Sequence, residues 1–247
     1  MIKKSVGVIG CGKWGKIIIR ELKKISNIKF IFRSKDNYKN YFKKIDWVFV
    51  LTPNETHYKI VKYFLKKKTN VFCEKPLTLD EAKAKELINI SKKKGVKMYI
   101  DDIEKYKKKK YKKKKLKISN VKNYILRTKK DKGSSLSLLN RLAYHDLYLL
   151  NDFILNKNIR KINTSINQKK LEFQIVLKNK CIFEFYYNID SEYKIHKINN
   201  TRFDKFKNNP VKDMLLNVLD SKRKNFDINN LKAINCIKLI NRIKKSI

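Results

Sequence analysis

The chain has 247 residues, 42% of them hydrophobic, with only 6 glycines and 3 prolines. That supports one large core or two modest ones and excludes a disordered chain. Lysine and arginine number 62 against 22 acidic residues, a formal charge of +40, which predicts weak, salt-sensitive attraction to polyanions; no apolar run approaches the ~18 residues of a membrane span, and the basic start runs directly into a glycine turn, so neither a membrane anchor nor a signal peptide is expected.

From the amino end, short β-like runs alternate with helical patterns. Ser5–Ile9 reads as a buried strand, and Lys13–Lys24 as a helix with Ile17, Ile18, Leu22 and Ile25 on its apolar face. Ile28–Phe32 is a second strand, Tyr38–Phe42 a short helix or turn, and Trp47–Leu51 a third strand. Asn54 is placed to cap a helix that reaches about Lys67. Asn70–Cys73 is a fourth strand. Thr78–Lys94 reads as a helix with Leu79, Ala82, Leu87 and Ile90 inward and Gly95 as its stop, and Val96–Ile100 is a fifth strand. Such alternation, with right-handed crossovers, predicts a doubly wound parallel sheet of the Rossmann type over residues 1–101.

The texture then changes. Glu104–Leu116 is a basic helical stretch, Val121–Arg127 is strand-like, and Leu136–Leu155 reads as a helix. Ile162–Ile166, Leu171–Leu177, Ile182–Tyr187 and Tyr193–His196 alternate as strands do, with a turn at Asn179-Lys180. Val211–Leu219 and Ile228–Ile243 are helical patterns. The fold class is therefore α/β, an N-terminal Rossmann domain followed by a smaller α+β domain over residues 102–247.

Two motifs carry chemistry. Gly10-Cys11-Gly12-Lys13-Trp14-Gly15 follows the first strand and opens the first helix. In that context Gly10 allows the tight turn, Gly12 admits a pyrophosphate to the backbone, and Gly15 lets helix and strand pack closely. Lys13 and Trp14 ride on the same turn, whose helix N-terminus offers N–H groups to an anion. The second motif, Glu74-Lys75-Pro76, ends the apolar run Val71-Phe72-Cys73 and puts an amine near the reactive end of a dinucleotide seated there. NAD enzymes usually carry an acid at the end of the second strand to bind the ribose. Here Arg33 and Ser34 stand at that place, which turns the reading towards NADP ahead of NAD, with Asp36 close by. The cysteines (Cys11, Cys73, Cys181, Cys236) form no CxxC pair and lie in apolar segments. They read as reduced thiols of a cytoplasmic protein. No metal-ligand spacing is present.

These motifs resemble those of the glucose–fructose oxidoreductase, inositol dehydrogenase and MocA family (Gfo/Idh/MocA). Thr52-Pro53-Asn54-Glu55-Thr56-His57 is similar to the family's TPNxxH loop, and Glu74-Lys75-Pro76-Leu77 to its EKPL signature. Leu142-Ala143-Tyr144-His145-Asp146-Leu147 is similar to the DLAPHDL segment of a subgroup linked to sugar and sugar-nucleotide oxidation. The closing helices from Asn209-Pro210 onward extend the likeness over nearly the whole chain, which at 247 residues is a short member. The resemblance implies hydride transfer between NAD or NADP and a carbohydrate or sugar nucleotide, in a homo-oligomer. It implies that Lys75 polarises the reacting oxygen and that His145 moves the proton. It also implies that Thr52, Pro53, Asn54, His57, Glu74 and Pro76 join the glycine turn around the cofactor; for Asn54 and His57, capping and packing roles stand equally open.

One departure touches the proton path. Many relatives carry Asp four residues before the histidine, where this chain has Arg141. Arginine offers only donors, so either Arg141 binds an anionic substrate or the relay is altered. A non-catalytic dinucleotide-binding sensor or partner subunit is the alternative function. A third is polyanion or nucleic-acid binding through Lys105–Lys117, where the spread of lysine along the whole chain favours non-specific charge instead. His196 has no evident partner in the sequence and reads as structural.

Overall fold

The computed structural model describes residues 3–33, 36–41, 43–107, 118–132, 134, 137–220 and 223–247. Ser34 and most of the lysine run, residues 108–117, lie outside them. The chain forms two compact units, residues 1–106 with 209–234, and residues 107–208 with 235–247.

The first unit is built on a five-stranded parallel sheet: β1 (Ser5–Ile9), β2 (Asn27–Phe32), β3 (Trp47–Val50), β4 (Asn70–Cys73) and β5 (Met98–Ile100). Their order is β2-β1-β3-β4-β5. The direction of winding reverses between β1 and β3, and in open α/β sheets ligands bind beyond the strand ends at such a reversal. The strands are continuous apolar runs because both faces are covered: Val48, Phe49, Val50, Val71, Phe72 and Ile100 are all buried completely. α1 (Lys13–Ile25) turns Gly15, Ile18 and Leu22 inward. Beside it lies α5 (Pro210–Asp220), whose Met214, Leu215 and Val218 share one core cluster with Val6, Val8, Ile18 and Leu22. The long helix α6 (Arg223–Lys244) gives Phe226 to the same cluster.

The remaining helices of this unit correct two details of the sequence reading. α2 (Asn54–Lys66) takes Pro53 as its N-cap, with no side-chain capping bond, so Asn54 is the first helical residue and does not cap. α3 (Glu81–Lys93) starts three residues later than the pattern suggests because Asp80 caps it, its carboxylate accepting from the Lys83 amide. Its buried residues are Ala84, Leu87, Ile88 and Ser91, while Leu79 and Ala82 are exposed. Docking against α2 selected one of two overlapping apolar stripes.

The second unit holds a six-stranded mixed sheet ordered β11-β10-β6-β9-β8-β7. Its strands are β6 (Lys122–Lys130), β7 (Ile159–Ile166), β8 (Lys170–Leu177), β9 (Ile182–Asn188), β10 (Asp190–Ile198) and β11 (Thr201–Arg202). β6 and β9 run parallel; the other pairs are antiparallel. Strict alternation along β8 and β9 buries Leu171, Phe173, Ile175, Phe183, Phe185 and Tyr187 on one face. The turn between them places Lys180 at φ 66°, as the Asn179-Lys180 signal suggests. The expected helix Leu136–Leu155 is shorter: a π-helical segment at Leu139–Ala143 leads into α4 (Tyr144–Leu149), after which the Phe153 and Ile154 amides close a turn on the Leu150 carbonyl. Among the described residues no helix is long and apolar enough to cross a membrane.

Candidate active site

At the reversal between β1 and β3 the first unit opens into a cavity of about 550 Å³ lined by Gly10, Cys11, Gly12, Lys13, Trp14, Gly15, Arg33, Leu51, Thr52, Pro53 and Glu74. Backbone geometry explains the glycines. Gly10 has φ +103°, and a Cβ there would lie 2.4 Å from the Leu51 carbonyl oxygen. A Cβ on Gly15 would lie 2.4 Å from the Gly10 carbonyl oxygen. Gly12 differs: nothing lies within 4 Å of where its Cβ would be, so the turn is open at the position where a phosphate would approach the backbone. Gly12 is also the N-cap of α1, and no acidic residue occupies the helix's first turn. A dinucleotide therefore fits the residues present.

The loops after β3 and β4 are tied together by His57. Its Nδ1 lies 2.9 Å from the Pro76 carbonyl oxygen and its Nε2 2.8 Å from the Thr52 carbonyl oxygen. Burial lowers the pKa of the ring against the opposing pull of those two carbonyls, which keeps it neutral, with one N–H to donate. His57, Pro76 and Thr52 thus brace the segment that carries Glu74 and Lys75, and the charge of Lys75 acts on both Glu74 and His57. The Thr56 hydroxyl adds bonds to Thr52 Oγ1 at 2.6 Å and to the Pro53 carbonyl at 2.7 Å. A neutral buried histidine implies that stability declines on acidification: below about pH 6.5 the unfolded chain takes up a proton that folded His57 refuses. The urea midpoint should fall less between about pH 7 and pH 5 in His57→Gln than in wild type.

Residues 26–101 match the family model GFO_IDH_MocA, described as an oxidoreductase family with an NAD-binding Rossmann fold. That match lies wholly within the first unit. Solved structures share the fold over nearly the whole length. UDP-N-acetylglucosamine 3-dehydrogenase GnnA from Acidithiobacillus ferrooxidans superposes with a TM-score of 0.81 at 14% identity, covering 100% of this chain and 98% of that one. The dehydrogenase MviM from Clostridium difficile gives 0.78 at 18%, covering 99% of each chain. A myo-inositol dehydrogenase from Corynebacterium glutamicum gives 0.73 at 10%, covering 99% of this chain and 96% of that one. At such identities the likeness is one of fold. No curated protein matches the chain by sequence.

Within the first unit, Arg33 lines the cavity while its backbone N–H donates to the Asp36 carboxylate at 2.6 Å. Sequence reasoning missed one residue of this site, Asp101, at the end of β5. Its Oδ2 accepts from the Trp14 indole at 3.0 Å and its Oδ1 from the Ile103 amide at 2.9 Å. The signal available was positional: carboxyl-terminal strand ends line the crevice of a doubly wound sheet, and β5 adjoins β4, which ends at Cys73, just before Glu74.

In the second unit His145 sits half-buried in the first turn of α4, its ring edge-on to that of Tyr144. Arg141 lies in the preceding π-helical segment. Its guanidinium donates to the Lys132 carbonyl at 2.8 Å and pairs with the Asp131 carboxylate, which also pairs with Lys129. Next to His145, Asp146 is completely buried. It meets His196 Nε2 at 2.6 Å, accepts the Tyr187 hydroxyl at 3.0 Å, and lies 3.5 Å from Arg127 Nη1. His196 therefore has a partner that its sequence context does not reveal. Burial first, and then the Asp146 charge, push the Tyr187 hydroxyl well above its ordinary pKa, so it stays a donor. Asp146→Ala would strand three polar groups in the core and should cost about 3–5 kcal/mol, read as a lowered urea midpoint; Asp146→Asn should lose less.

Proposed function

We propose that this protein is an NAD(P)-dependent oxidoreductase acting on a carbinol of a sugar, sugar derivative or sugar nucleotide. The observation that carries the reading is the open glycine cradle at the β1/β3 reversal, with the Glu74-Lys75-Pro76 loop braced beside it. The amides at the start of α1 would hold the pyrophosphate. The nicotinamide would supply the hydride acceptor in one direction and the donor in the other. Lys75 would polarise the reacting oxygen as negative charge develops on it. His145 would take up the hydroxyl proton in oxidation and return it in reduction, as an imidazole can near neutral pH. Arg33, lining the cavity at the end of β2, supports use of NADP as well as NAD. The names of the superposed dehydrogenases support a carbohydrate substrate, and the free thiols of Cys11, Cys73 and Cys181 support a cytoplasmic setting.

The test has two steps. Titration with NADH and NADPH should quench the fluorescence of Trp14, which lines the cavity; absence of binding to either overturns the reading. Wild-type protein is then screened against sugar nucleotides and free sugars with both cofactors. Binding without turnover of any of them would favour the non-catalytic sensor.

A further inference from the structure

We propose that the groove between α3 and α6 in the first unit is a binding site for a small aliphatic α-amino acid. The Asn230 side-chain oxygen and the Asp227 carboxylate would accept from its ammonium group, and Lys85 and Lys92 would meet its carboxylate. The groove is separate from the glycine cradle: the two cavities share no lining residue.

Two helix faces form the groove. Lys85, Ile88 and Lys92 stand at i, i+3 and i+7 on α3, and Asp227, Asn230, Leu231 and Ile234 at i, i+3, i+4 and i+7 on α6. Side chains at those spacings share one face of a helix. The cavity they line measures about 260 Å³, under the roughly 300–1,000 Å³ of sites for drug-sized ligands, which suits a small molecule. Asn230 marks it as a ligand site. That residue is only 4% exposed, and its Oδ1 has no hydrogen-bond partner among the described residues. The neighbouring Asn229, equally buried, is satisfied: its Oδ1 accepts from the Ile100 amide at 2.8 Å and its Nδ2 donates to the Ile100 carbonyl at 2.9 Å, on the open edge of β5. A buried carbonyl oxygen without a donor costs stability, and a ligand entering the cavity can supply that donor.

The lining sets the class of ligand. Asn230 Oδ1 and the Asp227 carboxylate are both acceptors on one face of α6. An ammonium group, with three N–H donors and a positive charge, can satisfy both at once; a single hydroxyl proton satisfies one. The α3 wall carries Lys85 and Lys92, whose positive charge favours a carboxylate through charge-assisted hydrogen bonds. Lys85 is steadied there by Glu81, one turn earlier at 2.6 Å. Among these polar groups Ile88, Leu231 and Ile234 supply the apolar surface. Ile88 is buried, whereas Leu231 is 61% exposed and gains by covering an aliphatic side chain. Ammonium, carboxylate and a short aliphatic chain joined in one small molecule describe an amino acid such as leucine.

Calorimetric titration of the whole protein with L-leucine tests the site without cofactor or turnover. Wild type should bind it. Isocaproate, which lacks the ammonium group, and leucinamide, which lacks the carboxylate, should each bind about tenfold more weakly or worse. Asp227→Asn alters an exposed side chain, so it should fold as wild type does and bind leucine about tenfold more weakly. Asn230→Leu removes the amide and should abolish leucine binding, with a ligand-free urea midpoint at or above that of wild type because no hydrogen bond is lost. Absence of leucine binding by wild type, or full affinity in Asp227→Asn or Asn230→Leu, overturns the proposal. Leucic acid, the hydroxyl counterpart of leucine, overturns the amino-acid assignment if it binds equally well. Self-association in sedimentation that Leu231→Ser abolishes would assign the groove to a second copy of this chain and overturn the small-molecule site.

Discussion

Lys75→Ala should lower turnover by roughly 10²–10⁴-fold with NADH affinity within about threefold of wild type. The expectation follows from where the residue sits. Lys75 follows Glu74 in the loop after β4, and His57 pins the next carbonyl, that of Pro76. The loop is held by that bond and by the Glu74 amide, which donates to Val50 at 2.9 Å, so removing the amine should leave the backbone in place. Under the proposed mechanism, what is lost is a cation opposite developing alkoxide charge. Lys75→Arg should rescue little, because a planar guanidinium is larger and cannot shift its pKa as an amine can. Steady-state kinetics with the best substrate from the screen, alongside fluorescence titration, separate the two quantities. Equal turnover in wild type and Lys75→Ala would remove Lys75 from the mechanism.

The second large effect contrasts two glycines two residues apart. Gly10→Ala forces a side chain onto a backbone at φ +103° and drives its Cβ to 2.4 Å from the Leu51 carbonyl oxygen. Strain and overlap together should cost roughly 3 kcal/mol or more, read as a lowered urea midpoint and reduced soluble yield. Gly12→Ala meets nothing within 4 Å and has no positive φ to sustain. Its stability should stay within about 0.5 kcal/mol of wild type. The new methyl stands in the space a phosphate would use, so dinucleotide affinity should drop by about tenfold or more, the ~1.4 kcal/mol of one displaced contact. If Gly12→Ala binds NADH as tightly as wild type does, the pyrophosphate is not seated on this turn.

The legibility of the chain followed from how local each signal was. β1 and β4 could be read to the residue, because strands buried on both faces are continuous apolar runs. The cradle was legible for a related reason: Gly10, Gly12 and Gly15 report backbone constraints within one turn, and the structure shows two of those constraints as contacts a Cβ could not survive. The phase of α3 was not legible. Leu79, Ala82, Ala84, Leu87, Ile88 and Ile90 offer overlapping stripes, and a cap at Asp80 together with packing on α2 chose among them. The extent of the helix around His145 was also hidden, since neither the π-helical segment at Leu139–Ala143 nor the turn closed on Leu150 has a local sequence marker.

The sequence by itself determined the alternation of strands and helices, the cradle at residues 10–15 and the position of Lys75 after the fourth strand. All of these depend on side-chain period and backbone sterics within about twenty residues. Only the tertiary structure decided that α5 covers the first sheet beside α1, more than a hundred residues away in the chain. It also decided that Asp101 meets Trp14, and that Asp146 meets His196 and Tyr187. These are pairings of polar groups from distant segments, driven by the need of each buried donor or acceptor to find a partner, and no local pattern encodes which partner that will be.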